Sequence, residues 1–502
     1  MTSRVFLRLR QILPKHKPRV FVTSDIGNEP DDSESLVRYL LYANEFRTEG
    51  LVPCTSTHQR TLTRPDLMHI ALRGYVQVVD NLNAHTHPSN PYPTAASLGA
   101  LVRPGPAVYG REALSPSVPL AEGTKLLIER VDAGTPSEPL WVLCWGGTNV
   151  LAQALHHVSQ ARTPKALTTF IASLRIYMIS DQDDTAPWLR ARFPSLFTIS
   201  SVHGWAQYRT ATWWGIACPE DGVDRSQFTR AWLDAHIRLG PLGRTYPHPA
   251  WQIEGDTPSF LYLIPNGLGC PEQPAWGSWG GRYDPVDLSE PPQVRHYADS
   301  VDRVVGCDGK EYASNFATVW RWAEAFQNDF AARMQWTLTV DFDGSGVNHA
   351  PVVVVNGDED CVGHLAVEVE AGEILYLDAG ASYDPDGDEL SFEWFHYVEP
   401  TIAMGVWDLH IPHMDIVDVD AEVAGRRVKI VMPPPEKCAV DPRSGEALEK
   451  GHVYHFVLEV KDSGSPPLRS YKRVVVQTVN SGLKGGSPRA SAPFTPSSWE
   501  PR

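Results

Sequence analysis

Arg19-Val20-Phe21-Val22-Thr23-Ser24 runs directly into Asp25-Ile26-Gly27-Asn28-Glu29-Pro30-Asp31-Asp32, and this stretch decides the fold. The first six residues form a short β run. Asp31 or Asp32 can cap a following helix, in which Leu36, Val37, Leu40 and Leu41 recur at helical spacing. Gly50-Leu51-Val52-Pro53-Cys54-Thr55 then reads as a second strand. Strand, acidic turn, helix and strand make a βαβ unit, which predicts a parallel sheet.

The unit repeats downstream. The apolar run 139–145 is a buried strand, followed by Gly146-Gly147-Thr148-Asn149 and a helix from Val150. Residues 174–179 form another, ending at Ser180-Asp181-Gln182-Asp183-Asp184, and 197–200 a shorter one. Ligands of open parallel sheets sit beyond the carboxyl ends of the strands, and all three polar clusters fall there. Residues 271–300, rich in Gly, Pro and Trp, read as irregular, and 316–334 as one closing helix. After Trp336 short β runs appear at 351–355, 374–377, 390–395, 428–431, 454–460 and 473–476, which predicts a small β-sandwich. The expected organisation is a disordered leader (1–17), an α/β domain with a mostly parallel open sheet flanked by helices (18–340), an all-β sandwich (350–480) and a disordered Ser/Pro/Gly-rich tail (481–502).

A chain of 502 residues is too long for one ordinary core. Its 42% hydrophobic and 21% charged residues mark it as globular. A net charge of −16 argues against a nucleic-acid partner, whose phosphates need a basic surface. No run reaches the ~18 apolar residues of a membrane helix. Val5-Phe6-Leu7 is too short for a secretory signal, so the cytoplasm is the expected compartment. The seven cysteines include no C-x-x-C pair, which indicates neither a zinc site nor a disulfide framework.

Asp25, Asp31 and Asp32 repel one another when ionised, so they need a cation or solvent. Oxygen ligands suit Ca²⁺ or Mg²⁺. A solvated helix cap competes with this reading, and the position after a buried strand favours a site. The turn resembles the nucleoside hydrolase signature D-x-D-P-G-x-D-D, and Gly147-Thr148-Asn149 is similar to that family's later G-P-L-T-N turn. More closely, residues 23–32 and 179–184, Glu254-Gly255-Asp256-Thr257-Pro258-Ser259-Phe260 and residues 276–283 resemble the DUF1593 family. Its members are cellulose-binding proteins with a nucleoside hydrolase-like domain and a C-terminal β domain.

The resemblance implies roles. Asp25 would ligate calcium and act as general base, Asp32, the Thr148 carbonyl and Asp256 would complete the calcium site, and Asp31 and Asn149 would contact the sugar. Calcium would orient a water and lower its pKa, Asp25 would take a proton, and the hydroxide would attack the anomeric carbon. A homo-oligomer is also expected from the resemblance.

Three departures stand out. Thr23 replaces the family's first Asp, Asn28-Glu29-Pro30 lengthens the turn by two residues, and Gly255 stands where many nucleoside hydrolases have a histidine that assists the leaving base. His203 and His58 are the candidate replacement donors. The sugar-and-metal half of the site is kept and the nucleobase half is not. A furanoside or other glycoside is therefore as good a substrate as a nucleoside, and a non-catalytic carbohydrate-binding protein is the alternative.

Further candidates are Asp183 in the second acidic turn, Trp279 in a Gly-rich loop as a substrate wall, and Arg282 as a carboxylate or phosphate ligand, within a dense set that includes Trp205, Trp213, Trp214 and Trp276. Asp181 and Asp184 belong to the same turn, which also reads as the cap of a helix before Trp188. Ala381-Ser382-Tyr383-Asp384-Pro385-Asp386-Gly387-Asp388 resembles a loop of PKD-like and cadherin-like modules, and its alternating acids are spaced to meet one calcium. A polar turn between strands is the competing reading.

Overall fold

The computed structural model describes residues 8–218, 220–287, 289, 291–342, 346–401, 413–419, 423–441 and 444–483. The chain divides into two compact units: Met1–Pro265 with Gly269–His349 and Gly464–Leu468, and Asn266–Leu268 with Ala350–Ser463 and Arg469–Arg502.

The first unit carries strands β1 (Arg19–Ser24), β2 (Arg47–Pro53), β3 (Leu140–Cys144), β4 (Leu174–Ser180), β5 (Phe197–Ser201), β6 (Tyr283–Pro285) and β7 (His296–Asp299) in one sheet of order β2-β1-β3-β4-β5-β7-β6. Every pairing is parallel except that of the edge strand β6 with β7. Strands β1, β3, β4 and β5 are buried along their whole length, which is why they read as unbroken apolar runs rather than alternating ones. Helices Glu122–Asp132, Asn149–Ala161, Pro164–Ala172 and Thr185–Arg192 share one apolar core with the sheet. The helix Asp31–Leu41 follows β1 at once and is buried at ten of its eleven positions. A separate hairpin pairs β8 (Asp302–Val305) with β9 (Glu311–Ser314).

Several expectations shift. The closing helix is two pieces, Ala317–Trp320 and Ala323–Trp336. The supposedly irregular 271–300 contains β6 and β7. The second strand begins at polar Arg47, which pairs with Arg19 of β1. Of the expected leader and tail, residues 1–7 and 484–502 lie outside the described residues. Residues 8–17 are held in place: Leu9 and Ile12 are buried, and Arg10 pairs with buried Glu45 at 3.0 Å.

The second unit carries β10 (Leu365–Glu370), β11 (Ile374–Asp378), β12 (Leu390–His396), β13 (Ile416–Asp418), β14 (Arg427–Val431), β15 (Lys450–Asp462) and β16 (Arg469–Val479). They form a sheet of order β10-β16-β15-β12 and a second of order β11-β14-β13. Leu377, Val428 and Ile430 of one sheet share a core with Trp394, Phe456, Leu458, Val474 and Val476 of the other. The run Pro351–Val355 is not a strand. It makes only isolated bridges, Val352 to Tyr383 and Val355 to Asp358, while Val353 and Val355 fill the same core.

Candidate active site

Four aspartates meet at the carboxyl end of the parallel sheet. Asp25 is the first residue after β1, Asp31 and Asp32 open the following helix, and Asp256 precedes the short helix Thr257–Leu261. All are buried to 5% exposure or less. They line one side of a cleft of about 390 Å³, together with Glu29, Trp145 and Gln182. Carboxylate oxygens of Asp31, Asp32 and Asp256 lie within 4.8 Å of one another. The two extra residues of the turn therefore do not separate Asp31 and Asp32 from the site.

Three of the four carboxylates are positioned by a neighbour. Ser24 Oγ donates to Asp32 Oδ1. Gln252 Nε2 donates to Asp31 Oδ2 at 2.6 Å. Ser56 hydrogen-bonds Asp25, and Gly146 permits close approach, since a Cβ there would lie 2.7 Å from Asp25 Oδ1. Burial, then repulsion among the acids, pushes Asp32 and Asp256 well above the ordinary carboxylate range. Burial raises Asp25 to about 7 and Asp31 to about 6.

The donor set fits a hard divalent cation. Asp256 Oδ2 is buried and finds no hydrogen-bond donor among the described residues, oxygens of three carboxylates converge, and oxygen-only ligation is what Ca²⁺ prefers.

The remaining expected site residues do not line this cleft. Asn149 is fully buried, and its Nδ2 donates to Thr55 Oγ1 and to the carbonyls of Pro106 and Val108, fixing a loop. Thr148 caps the same helix. Its carbonyl accepts from Ala152 N at 2.9 Å and its hydroxyl meets Thr185 Oγ1 at 2.6 Å. The second acidic turn is held internally: Asp183 accepts from Thr185 N, Asp181 pairs with Arg190, and Asp184 accepts from Arg111 N. Its one cleft residue is Gln182, whose Nε2 donates to Trp145 O at 2.7 Å.

Trp279 and Arg282 correct the expectation of an exposed substrate loop. Trp279 is 3% exposed, and Gly280 packs so tightly that a Cβ would stand 2.1 Å from Pro258 O. The glycines there serve close packing, not mobility. Arg282 is buried and bound to Asp302 at 2.7 Å and Asp284 at 3.0 Å, so no charge is left to meet a ligand.

Of the candidate donors, His58 lines the cleft, whereas His203 binds Ser180 Oγ at 3.1 Å and does not line it. Reading the sequence missed Tyr208, Trp251 and Gln252, which also line the cleft. They come from a short 3-10 helix (Trp205–Thr210) and an irregular segment far along the chain, and only the density of aromatics pointed toward them. In the second unit, oxygens of Asp384, Asp386 and Asp388 converge within 4.8 Å.

Residues 19–283 match the family model described as "Cellulose-binding Sde182, nucleoside hydrolase-like domain", and residues 374–478 match "Cellulose-binding protein Sde0182, C-terminal domain". The chain belongs to this cellulose-binding Sde182 family, with a nucleoside hydrolase-like α/β domain and an all-β C-terminal region. Among solved structures, a nucleoside hydrolase-related hypothetical protein from Saccharophagus degradans, described as associated with carbohydrate metabolism, is similar to this chain at 30% identity. The match covers 92% of this chain and 100% of that one, with a TM-score of 0.73. Human CDH23 EC21-23 overlays 23% of this chain and 30% of its own at 13% identity, with a TM-score of only 0.15. A search of curated proteins gave no match.

Proposed function

We propose that the first unit is a calcium-dependent hydrolase of a glycosidic bond in a furanoside or related carbohydrate. The observation that carries this reading is the convergence of Asp31, Asp32 and Asp256 oxygens, with Asp25 lining the same cleft and a buried Asp256 oxygen that has no donor among the described residues. Asp25, Asp32 and Asp256 would hold the ion with Asp31 beside them. The Thr148 carbonyl, the other expected ligand, does not line the cleft and accepts from Ala152 N instead. Calcium, when bound, would supply positive charge that orients sugar hydroxyls and favours ionised carboxylates.

Asp25 then acts as general base. Its carboxylate takes a proton from a water, the water oxygen bonds the anomeric carbon, and the bond from that carbon to the leaving atom breaks. The leaving atom needs a proton, and His58 is the cleft residue suited to give it.

A non-catalytic carbohydrate-binding protein is the second reading. Gly255 favours it, because a glycine stands where the resemblance places the leaving-group donor, and a Cβ there would meet Asp31 Oδ2 at 2.9 Å. Calorimetry of the calcium-loaded protein with inosine, ribose and cello-oligosaccharides, alongside an assay for released sugar, separates the two. Turnover that falls by roughly 10²–10⁴ in Asp25→Ala supports the hydrolase. Tight sugar binding with no turnover, unchanged by Asp25→Ala, establishes the binder instead.

A further inference from the structure

The outer part of the cleft is aromatic. His58, Tyr208, Trp214 and Trp251 line it. Trp251 is 86% exposed and sits in the left-handed backbone region at φ 71°, a conformation that is costly for a bulky residue. Exposing an indole forgoes the burial that tryptophan usually finds. Two costs at one residue beside a binding cleft point to a ligand contact. Its neighbour Gln252 holds Asp31, so the turn that presents Trp251 also fixes the carboxylate site. A second aromatic group adjoins the cleft: the rings of His58 and Trp205 stack at 6.0 Å, those of Trp205 and Tyr208 approach to 5.4 Å, and Trp205 is 54% exposed.

Charge narrows the ligand. Asp25, Glu29, Asp31, Asp32 and Asp256 line the cleft against one arginine, Arg209. An acidic lining with a single arginine disfavours uronates and sugar phosphates relative to neutral sugars. Aromatic faces instead suit the apolar C–H faces of neutral sugar rings.

We infer that the cleft takes a neutral oligosaccharide of at least two rings, with one ring at the aspartates and the next stacked on Trp251 and the Trp205–Tyr208 group. This rests on the reading of the cleft as a sugar site. The test is calorimetry of the calcium-loaded protein with glucose, cellobiose, cellotetraose, tetragalacturonate and inosine, for the wild type, Trp251→Ala and Trp205→Ala. Both tryptophans are exposed, and retained calcium binding verifies folding. Cellotetraose should bind about tenfold more tightly than glucose, and Trp251→Ala should remove that advantage while glucose binding persists. Tetragalacturonate should not bind. Affinity independent of chain length, an unaffected Trp251→Ala, or preference for tetragalacturonate or inosine overturns the inference and leaves the sugar site standing. Failure of every sugar to bind overturns both.

Discussion

Asp31 Oδ2 lies 2.9 Å from where a Cβ on Gly255 would stand, with the Trp213 ring 3.0 Å away on the same side. Any side chain at this position, where the resemblance places a histidine, must push Asp31 or Trp213 aside. Gly255→Ala should therefore displace Asp31, weakening calcium binding roughly 10–100-fold and lowering stability by about 1–3 kcal/mol. Gly255→His should not raise turnover of inosine. Calcium titration and nucleoside assays on the two variants check this. An alanine variant with wild-type calcium affinity would show that Asp31 is not constrained by Gly255.

Calcium removal is a direct test of the acid cluster. Burial and mutual repulsion disfavour ionised Asp32 and Asp256, and a bound cation relieves both effects. Free calcium at 100 times its Kd should stabilise the protein by about 2.7 kcal/mol, read as a higher melting temperature than in chelator. Asp256→Asn should lose the greater part of that calcium-dependent rise. Equal melting of the wild type in both conditions would reduce the aspartates to a helix cap.

The sheet and the acid turn were legible because β1 is both apolar throughout and followed at once by its carboxylates, so the evidence is local. Asp256, more than two hundred residues away, was reachable only by family resemblance. The glycines around Trp279 misled for a physical reason: glycine marks both mobile loops and close backbone packing, and residue order does not say which. Asn149 and Asp183 follow strand ends as expected, yet Asn149 bonds the loop at Pro106 and Val108, and Asp183 bonds Thr185 at the start of the next helix. Nothing near Trp251 in the sequence announces an exposed, left-handed tryptophan.

Glu45 joins the N-terminal segment to the first unit's core. Burial alone would raise its carboxyl, but Arg10 and Arg333 overrule burial and hold it below its ordinary value. Arg333 Nη2 donates to it at 2.6 Å. A depressed folded pKa gives stability that is present above the unfolded value, about 4.3, and is lost as pH falls through the folded one. Glu45→Gln should cost about 3–5 kcal/mol at pH 7 and should flatten the loss of stability between neutral and acid pH. Urea midpoints across that range check it, and parallel curves for variant and wild type would remove Glu45 from the account.

Beneath the cleft, Glu254 and Glu34 are both buried carboxyls, and they should respond in opposite ways to the same change. Glu254 Oε2 accepts from Arg38 Nη1 at 2.8 Å and from Thr257 Oγ1 at 2.9 Å, while Oε1 accepts from Tyr246 at 2.8 Å. Arg38 is fully buried, so Glu254→Gln leaves its charge without a counterion and should destabilise by about 3–5 kcal/mol. Glu34 Oε2 accepts from Glu254 N at 2.9 Å, and burial raises its carboxyl to about 9. At pH 7 it is already neutral, and a glutamine oxygen can accept the same bond. Glu34→Gln should thus fall within about 1 kcal/mol of wild type. Denaturant unfolding of the two variants at neutral pH reads the difference. Equal losses would mean that Glu34 is ionised in the folded protein and that a positive group, not burial, governs it.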